Sequence, residues 1–110
     1  MEDEQILDSL FLELRRGAIA MAVMLQLKQE QYGYSLLSNL SAAGVEIEQG
    51  TLYPLLRRLE TQGLLTSNWR LEGTRPRRYY VLSEQGQQLL PSILKEWVRL
   101  VKIMSQLSAE

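Results

Sequence analysis

The sequence predicts a mainly helical chain with one small β-hairpin past its middle, and three observations predict it. Apolar residues recur at three- and four-residue spacing over four separate stretches. That spacing gives way to alternation only between Leu65 and Leu82. The two alternating runs are separated by Glu72-Gly73-Thr74-Arg75-Pro76, which is turn chemistry. With 110 residues and 45% hydrophobic content the chain holds one core and about one domain.

The first stretch carries Ile6, Leu7, Leu10, Phe11 and Leu14, then a break at Arg15-Arg16-Gly17, then an apolar run from Ala18 to Leu25. We read one helix from about Glu4 to Gln29, with Gly17 as the place for a bend and the second half buried. Gln31-Tyr32-Gly33 reads as a break. Leu36, Leu37 and Leu40 mark a short second helix that ends near Gly44. Val45-Glu46-Ile47-Glu48 alternates and reads as a short linking strand. A third helix follows over Gln49 to Gln62, with Leu52, Leu55, Leu56 and Leu59 inward and Thr51, Pro54, Arg57, Arg58 and Thr61 outward. Pro54 belongs near its first turn, and Gly63 stops it.

In the hairpin, Leu65, Ser67, Trp69 and Leu71 share one face, and Tyr79, Tyr80 and Val81 bring high strand propensity. Trp69 is most simply packed under the hairpin, and one of Tyr79 and Tyr80 must face the core. Ser83 caps a last helix with the stripe Leu90, Leu94, Trp97, Val101, Met104 and Leu107, widened by Ile93, Leu100 and Ile103. Pro91 lies inside that pattern and should kink or restart the helix.

Composition narrows function. The chain has no Cys and no His, which removes thiolate metal sites, the usual zinc ligand and the usual general base. No phosphate-cradling glycine loop is present. An enzyme is the weakest reading, no cofactor is predicted, and binding remains. The acidic start, Met1-Glu2-Asp3-Glu4, is unlike a secretory leader, and no apolar run nears the ~20 residues of a membrane span. A cytoplasmic protein without a membrane partner is expected.

Net charge is −1, but its distribution is uneven. Residues 1–49 carry −5, residues 50–82 carry +4, and the remainder is neutral. The six arginines of the middle third are either a solvated surface or the footprint of a phosphate partner. A short helix, a turn, a second helix with a polar outer face and a basic hairpin make a winged helix-turn-helix. Such a helix fits a major groove about 12 Å wide and would offer Thr51, Tyr53, Pro54, Arg57 and Arg58 to duplex DNA. Arg75, Arg77 and Arg78 on the wing would meet phosphates or a minor groove.

The motifs Tyr32-Gly33-Tyr34-Ser35-Leu36, Gly50-Thr51-Leu52-Tyr53-Pro54-Leu55-Leu56-Arg57-Arg58-Leu59-Glu60, Gly63-Leu64-Leu65, Arg77-Arg78-Tyr79-Tyr80 and Leu82-Ser83-Glu84-Gln85-Gly86 resemble the PadR family of bacterial transcription regulators. The resemblance runs from about Arg16 to Trp97, and the block from Gly50 to Glu60 is highly specific. The single long final helix is similar to the small subfamily without a separate C-terminal domain. The resemblance implies a homodimer on a palindromic operator, with the last helix as the dimer contact. It also implies a repressor released by a small molecule. Residues 1–82 would form the DNA-binding unit and residues 83–110 the dimerisation helix. The chain departs from the family in two places. Ser83 stands where Thr is more usual, and residues Glu2 to Leu14 extend the first helix, with Leu7, Leu10, Phe11 and Leu14 expected against the partner's final helix.

Several side chains have two readings. Tyr34 and Ser35 open the second helix, where free N–H groups favour a phosphate, or Tyr34 fills the core. Thr51 is a helix cap, a DNA contact or both. Tyr53 points to DNA or packs inward. Trp97, with Leu94, Leu100, Val101 and Met104, either anchors a dimer or walls a pore for a flat aromatic effector. Leu100 and Val101, rather than acids, follow Trp97, although Glu96 adjoins it, so a neutral or weakly polar aromatic suits that pore. A sequence-specific dimeric repressor is therefore the leading reading. A winged-helix protein-interaction module is the alternative.

Overall fold

The computed structural model describes residues 2–109; Met1 and Glu110, the outer ends of the two predicted units, lie outside them. Helix α1 spans Asp3–Gln26, strand β1 Gln31–Tyr32, α2 Gly33–Ala42, α3 Gln49–Thr61, β2 Leu65–Glu72, β3 Arg75–Leu82 and α4 Glu84–Ser108. The strands form one antiparallel sheet in the order β1-β3-β2. This is the winged helix that the sequence predicts.

The core forms where one apolar face of each element meets the others. Leu27, Leu36, Leu40, Leu52, Leu56 and Leu65 are completely or almost completely buried. All four leucines of the predicted α3 stripe are inside, and α4 contributes Leu90. The two helices of the helix-turn-helix end alike. Gly44 (φ 95°) and Gly63 (φ 83°) take the left-handed conformation that a Cβ disfavours. Beyond them the Val45 N–H donates to the Leu40 carbonyl at 2.8 Å and the Leu64 N–H to the Leu59 carbonyl at 2.9 Å. These paired bonds satisfy carbonyls that a helix end otherwise leaves free.

Several local expectations change. Helix α1 runs unbroken through Gly17 and stops at Gln26, short of Gln29. The cause is tertiary: Leu27 is buried as the C-cap, its N–H still donates to the Val23 carbonyl, but its own carbonyl accepts the Leu82 N–H at 2.8 Å instead of a further helical donor. The expected break at Gln31-Tyr32 is a two-residue strand paired with Tyr80 and Tyr79. Val45–Glu48 is not a strand, because no strand lies beside it to supply a ladder. Pro54 is the sixth residue of α3, in its second turn and close to the expected place, so the Gly50 carbonyl has no helical donor there. Pro91 neither ends nor restarts α4. Both Pro91 and Gln87, whose carbonyl it leaves without a helical donor, are exposed, so water can serve that carbonyl.

The chain is elongated, 58 × 36 × 24 Å. Its radius of gyration is 16.3 Å, against about 13 Å for a compact domain of this size. The excess comes from α1 and α4, 24 and 25 residues long and hence about 36–38 Å each. Among the described residues of α1 only Val23 and Met24 are buried, and of α4 only Gly86 and Leu90. Leu10, Phe11, Leu14, Trp97, Val101 and Met104 remain exposed on a single chain.

Candidate nucleic-acid interface

The outer face of α3 carries Thr51, Pro54, Arg57 and Arg58, all exposed, as helical spacing requires once the leucines turn inward. Thr51 is not the helix cap. Glu48 holds that position without a side-chain bond, and the Thr51 N–H donates to the Glu48 carbonyl at 3.0 Å. Tyr53 is half-buried and turned toward α2; a Cβ added at Gly33 would lie 2.5 Å from its hydroxyl oxygen. Gly33 is thus the space that the Tyr53 ring occupies. Tyr34 does not fill the core: it is 66% exposed at the start of α2. The Ser35 hydroxyl is engaged locally, donating to the Tyr32 carbonyl at 3.0 Å.

Residues of α2, α3 and the wing strands border one cleft of about 590 Å³. Tyr34, Tyr53, Arg75, Arg77 and Arg78 line it, together with Trp69 and Tyr80, neither of them singled out from sequence as a site residue. Thr51, Pro54, Arg57 and Arg58 lie outside it, on the exposed face of α3. Of the two hairpin tyrosines, Tyr80 is the one that faces the core, 4% exposed. Burial raises its phenol above the ordinary value of 10.0; the Arg78 guanidinium opposes this and the Glu60 carboxylate adds to it. Tyr79 meets Tyr32 edge to face, with centroids 5.5 Å apart.

Trp69 departs from expectation. It is 64% exposed rather than packed under the wing. Burial falls along its face of β2, from Leu65 at 2% to Leu71 at 74%, because the outer half of the hairpin has no element beneath it. The ring instead lies beside the Arg78 guanidinium, 5.7 Å from its centroid.

The basic island divides into two sets of three. Arg70 pairs with Glu30, Arg77 with Glu72 at 3.1 Å, and Arg78 with Glu60 at 3.0 Å. Arg57, Arg58 and Arg75 have no carboxylate within 4.0 Å among the described residues, and all three are exposed. Sequence counting could not make this division, since the partners of Arg70 and Arg78 lie 40 and 18 residues away.

A second, apolar groove of about 1090 Å³ runs between α1 and α4. Trp97, Leu100, Val101 and Met104 line it as a group, faced by Gly17, Ala18 and Met21 of α1. Leu94 does not; it packs, half-buried, on the core.

The sequence pattern of the Transcriptional regulator PadR-like family matches residues 22–92. The chain belongs to the PadR-like family. It is 37% identical over 79 residues to the transcriptional regulator Rv3488 of Mycobacterium tuberculosis, a match covering 71% of this chain and 74% of that one. Among solved structures, a PadR family transcriptional regulator from Eggerthella lenta is 43% identical, with a TM-score of 0.88 over 94% of this chain and 93% of that one. A transcriptional regulator from Clostridium thermocellum is 26% identical, with a TM-score of 0.80 over 88% and 99%. PadR-like proteins are regulators of transcription rather than enzymes. Among the described residues no helix is long and apolar enough to cross a membrane.

Proposed function

We propose that this PadR-like protein is a sequence-specific DNA-binding repressor. It acts as a homodimer on a palindromic operator and is released by a small aromatic effector. The observation that carries the DNA reading is the set of unpaired, exposed arginines on the two elements a winged helix offers to a duplex. Arg57 and Arg58 stand on α3 and Arg75 at the wing tip. With no carboxylate beside them among the described residues, these guanidinium groups are free to bind phosphates or guanine edges. Thr51, Pro54 and Tyr34 add exposed contacts around them.

Dimerisation is supported by the uncovered apolar faces of α1 and α4, which a monomer would leave in water. On this reading residues 83–110 supply the dimer contact, and residues 1–82 supply the DNA-binding unit together with the α1 extension. Trp97 in the α1–α4 groove supports a flat, neutral aromatic effector. Such a ligand releases DNA only if it binds the non-DNA arrangement of the two heads more tightly.

Selection of duplexes from a random pool, followed by titration in salt, tests the proposal. The expected result is an enriched palindrome whose affinity falls by about 10³–10⁵ between 50 and 200 mM salt for some 6–10 phosphate contacts. An absence of enrichment would instead favour a protein-interaction module.

A further inference from the structure

Three side chains from three elements close a hydrogen-bonded ring on the cleft side of the wing. Glu60, in the last turn of α3, accepts from Arg78 Nη2 at 3.0 Å through Oε1 and from the Ser67 hydroxyl at 2.5 Å through Oε2. Ser67 of β2 in turn accepts from Arg78 Nε at 3.0 Å. The Ser67 proton, both Glu60 oxygens and two donors of the Arg78 fork are all engaged. The guanidinium also lies near two rings, 5.7 Å from the Trp69 centroid and 5.5 Å from that of Tyr80. On the opposite face of the hairpin, Arg70 pairs with Glu30 just after α1.

We infer that Glu60 and Arg78 are positioning residues for DNA binding, which fix the angle of the wing against α3. The inference rests on the DNA-binding reading above. Its physical basis is that the outer hairpin has no core beneath it, as the exposure of Trp69 and Leu71 shows. An unrestrained wing would lose conformational freedom each time it met DNA, and the ring of bonds removes that cost before binding. Arg78 thus holds the wing from inside, while Arg75 at its tip has no carboxylate partner among the described residues. Glu60, although acidic and next to the DNA-facing elements, promotes binding.

This assignment reverses a sign. Electrostatics alone makes Glu60→Gln bind DNA more tightly, since one negative charge leaves the neighbourhood of the phosphates. Positioning makes it bind more weakly, by on the order of tenfold, the scale of one charge-assisted hydrogen bond. The test uses the duplex enriched by the wild-type protein, with circular dichroism to check folding. Glu60→Gln and Arg78→Lys are both expected to lose affinity with an unchanged salt slope, since Lys keeps the charge but cannot form the fork. In a Trp97→Phe background, both are expected to lower the fluorescence anisotropy of Trp69. Unchanged or tighter binding by Glu60→Gln overturns the inference. So does an Arg78→Gln variant whose salt slope falls by about one, because Arg78 would then be a phosphate ligand. If the wild-type protein binds no duplex, the DNA-binding reading fails, and unaltered Trp69 anisotropy in the variants would separately reject the clamp.

Discussion

The Ser83 hydroxyl donates to the Gly63 carbonyl at 2.6 Å, which ties the cap of α4 to the glycine that ends α3. The same oxygen accepts the Gly86 N–H at 2.9 Å, so one atom finishes one helix and starts another. Ser83→Ala should therefore cost more than a simple cap, about 1–2 kcal/mol in denaturant unfolding. Ser83→Thr, which keeps the hydroxyl, should stay near wild type.

Gly33 and Gly86 should respond differently to Ala. At Gly86 a Cβ would run into the Leu64 carbonyl oxygen, which is backbone and also accepts the Ser83 N–H. A loss of about 1–3 kcal/mol is expected for Gly86→Ala, because neither partner can yield without moving α4. At Gly33 the nearest obstruction is the Tyr53 ring, a side chain that can swing aside. Gly33→Ala should displace that ring into the cleft, with a smaller loss of stability and a measurable change in DNA affinity. Equal stability of the two variants would contradict this account.

The buried Tyr80 phenol makes stability pH-dependent at the alkaline end. Its folded pKa stands above the ordinary 10.0, so the folded state holds this proton more tightly than the unfolded state. The contribution is complete below about pH 10 and is lost as pH rises through the raised folded value. Phenolate absorbance should show one of the five tyrosines ionising late, and Tyr80→Phe should remove that step.

The exposed stripe of α1 predicts a role in assembly. Leu7, Leu10, Phe11 and Leu14 are 41–77% exposed on a single chain, which fits burial against a partner's α4. Removing residues 1–14 should raise the dimer dissociation constant by at least tenfold in sedimentation equilibrium, the effect of roughly one buried large side chain. A truncated protein with undiminished dimerisation would exclude this role.

The α1–α4 groove predicts a ligand preference. Its acid, Glu96, is paired with Arg99 at 3.1 Å, so little free negative charge faces Trp97. Trp97 fluorescence should be quenched by a neutral flat aromatic at lower concentration than by a cationic analogue. Equal potency of the two compounds would count against it.

Interactions within a few residues were readable from the sequence. The leucine spacing of α3 set which face carries Arg57 and Arg58, Gly63 marked its end, and Ser83 marked the start of α4, because each depends only on helix period and on backbone groups three or four positions away. The hairpin was equally legible from alternation and the Gly73 turn. Tertiary structure decided the rest. Whether Trp69 is covered depends on how far the hairpin projects past α3, which no local pattern encodes. Gln31-Tyr32 becomes a strand only because β3 passes beside it, and α1 stops at Gln26 because the Leu27 carbonyl is claimed by Leu82. The division of the arginines into free and paired follows from the same cause. A charge run gives the number of cations, but the carboxylates that neutralise Arg70 and Arg78 arrive from distant segments and meet them only when the chain is folded.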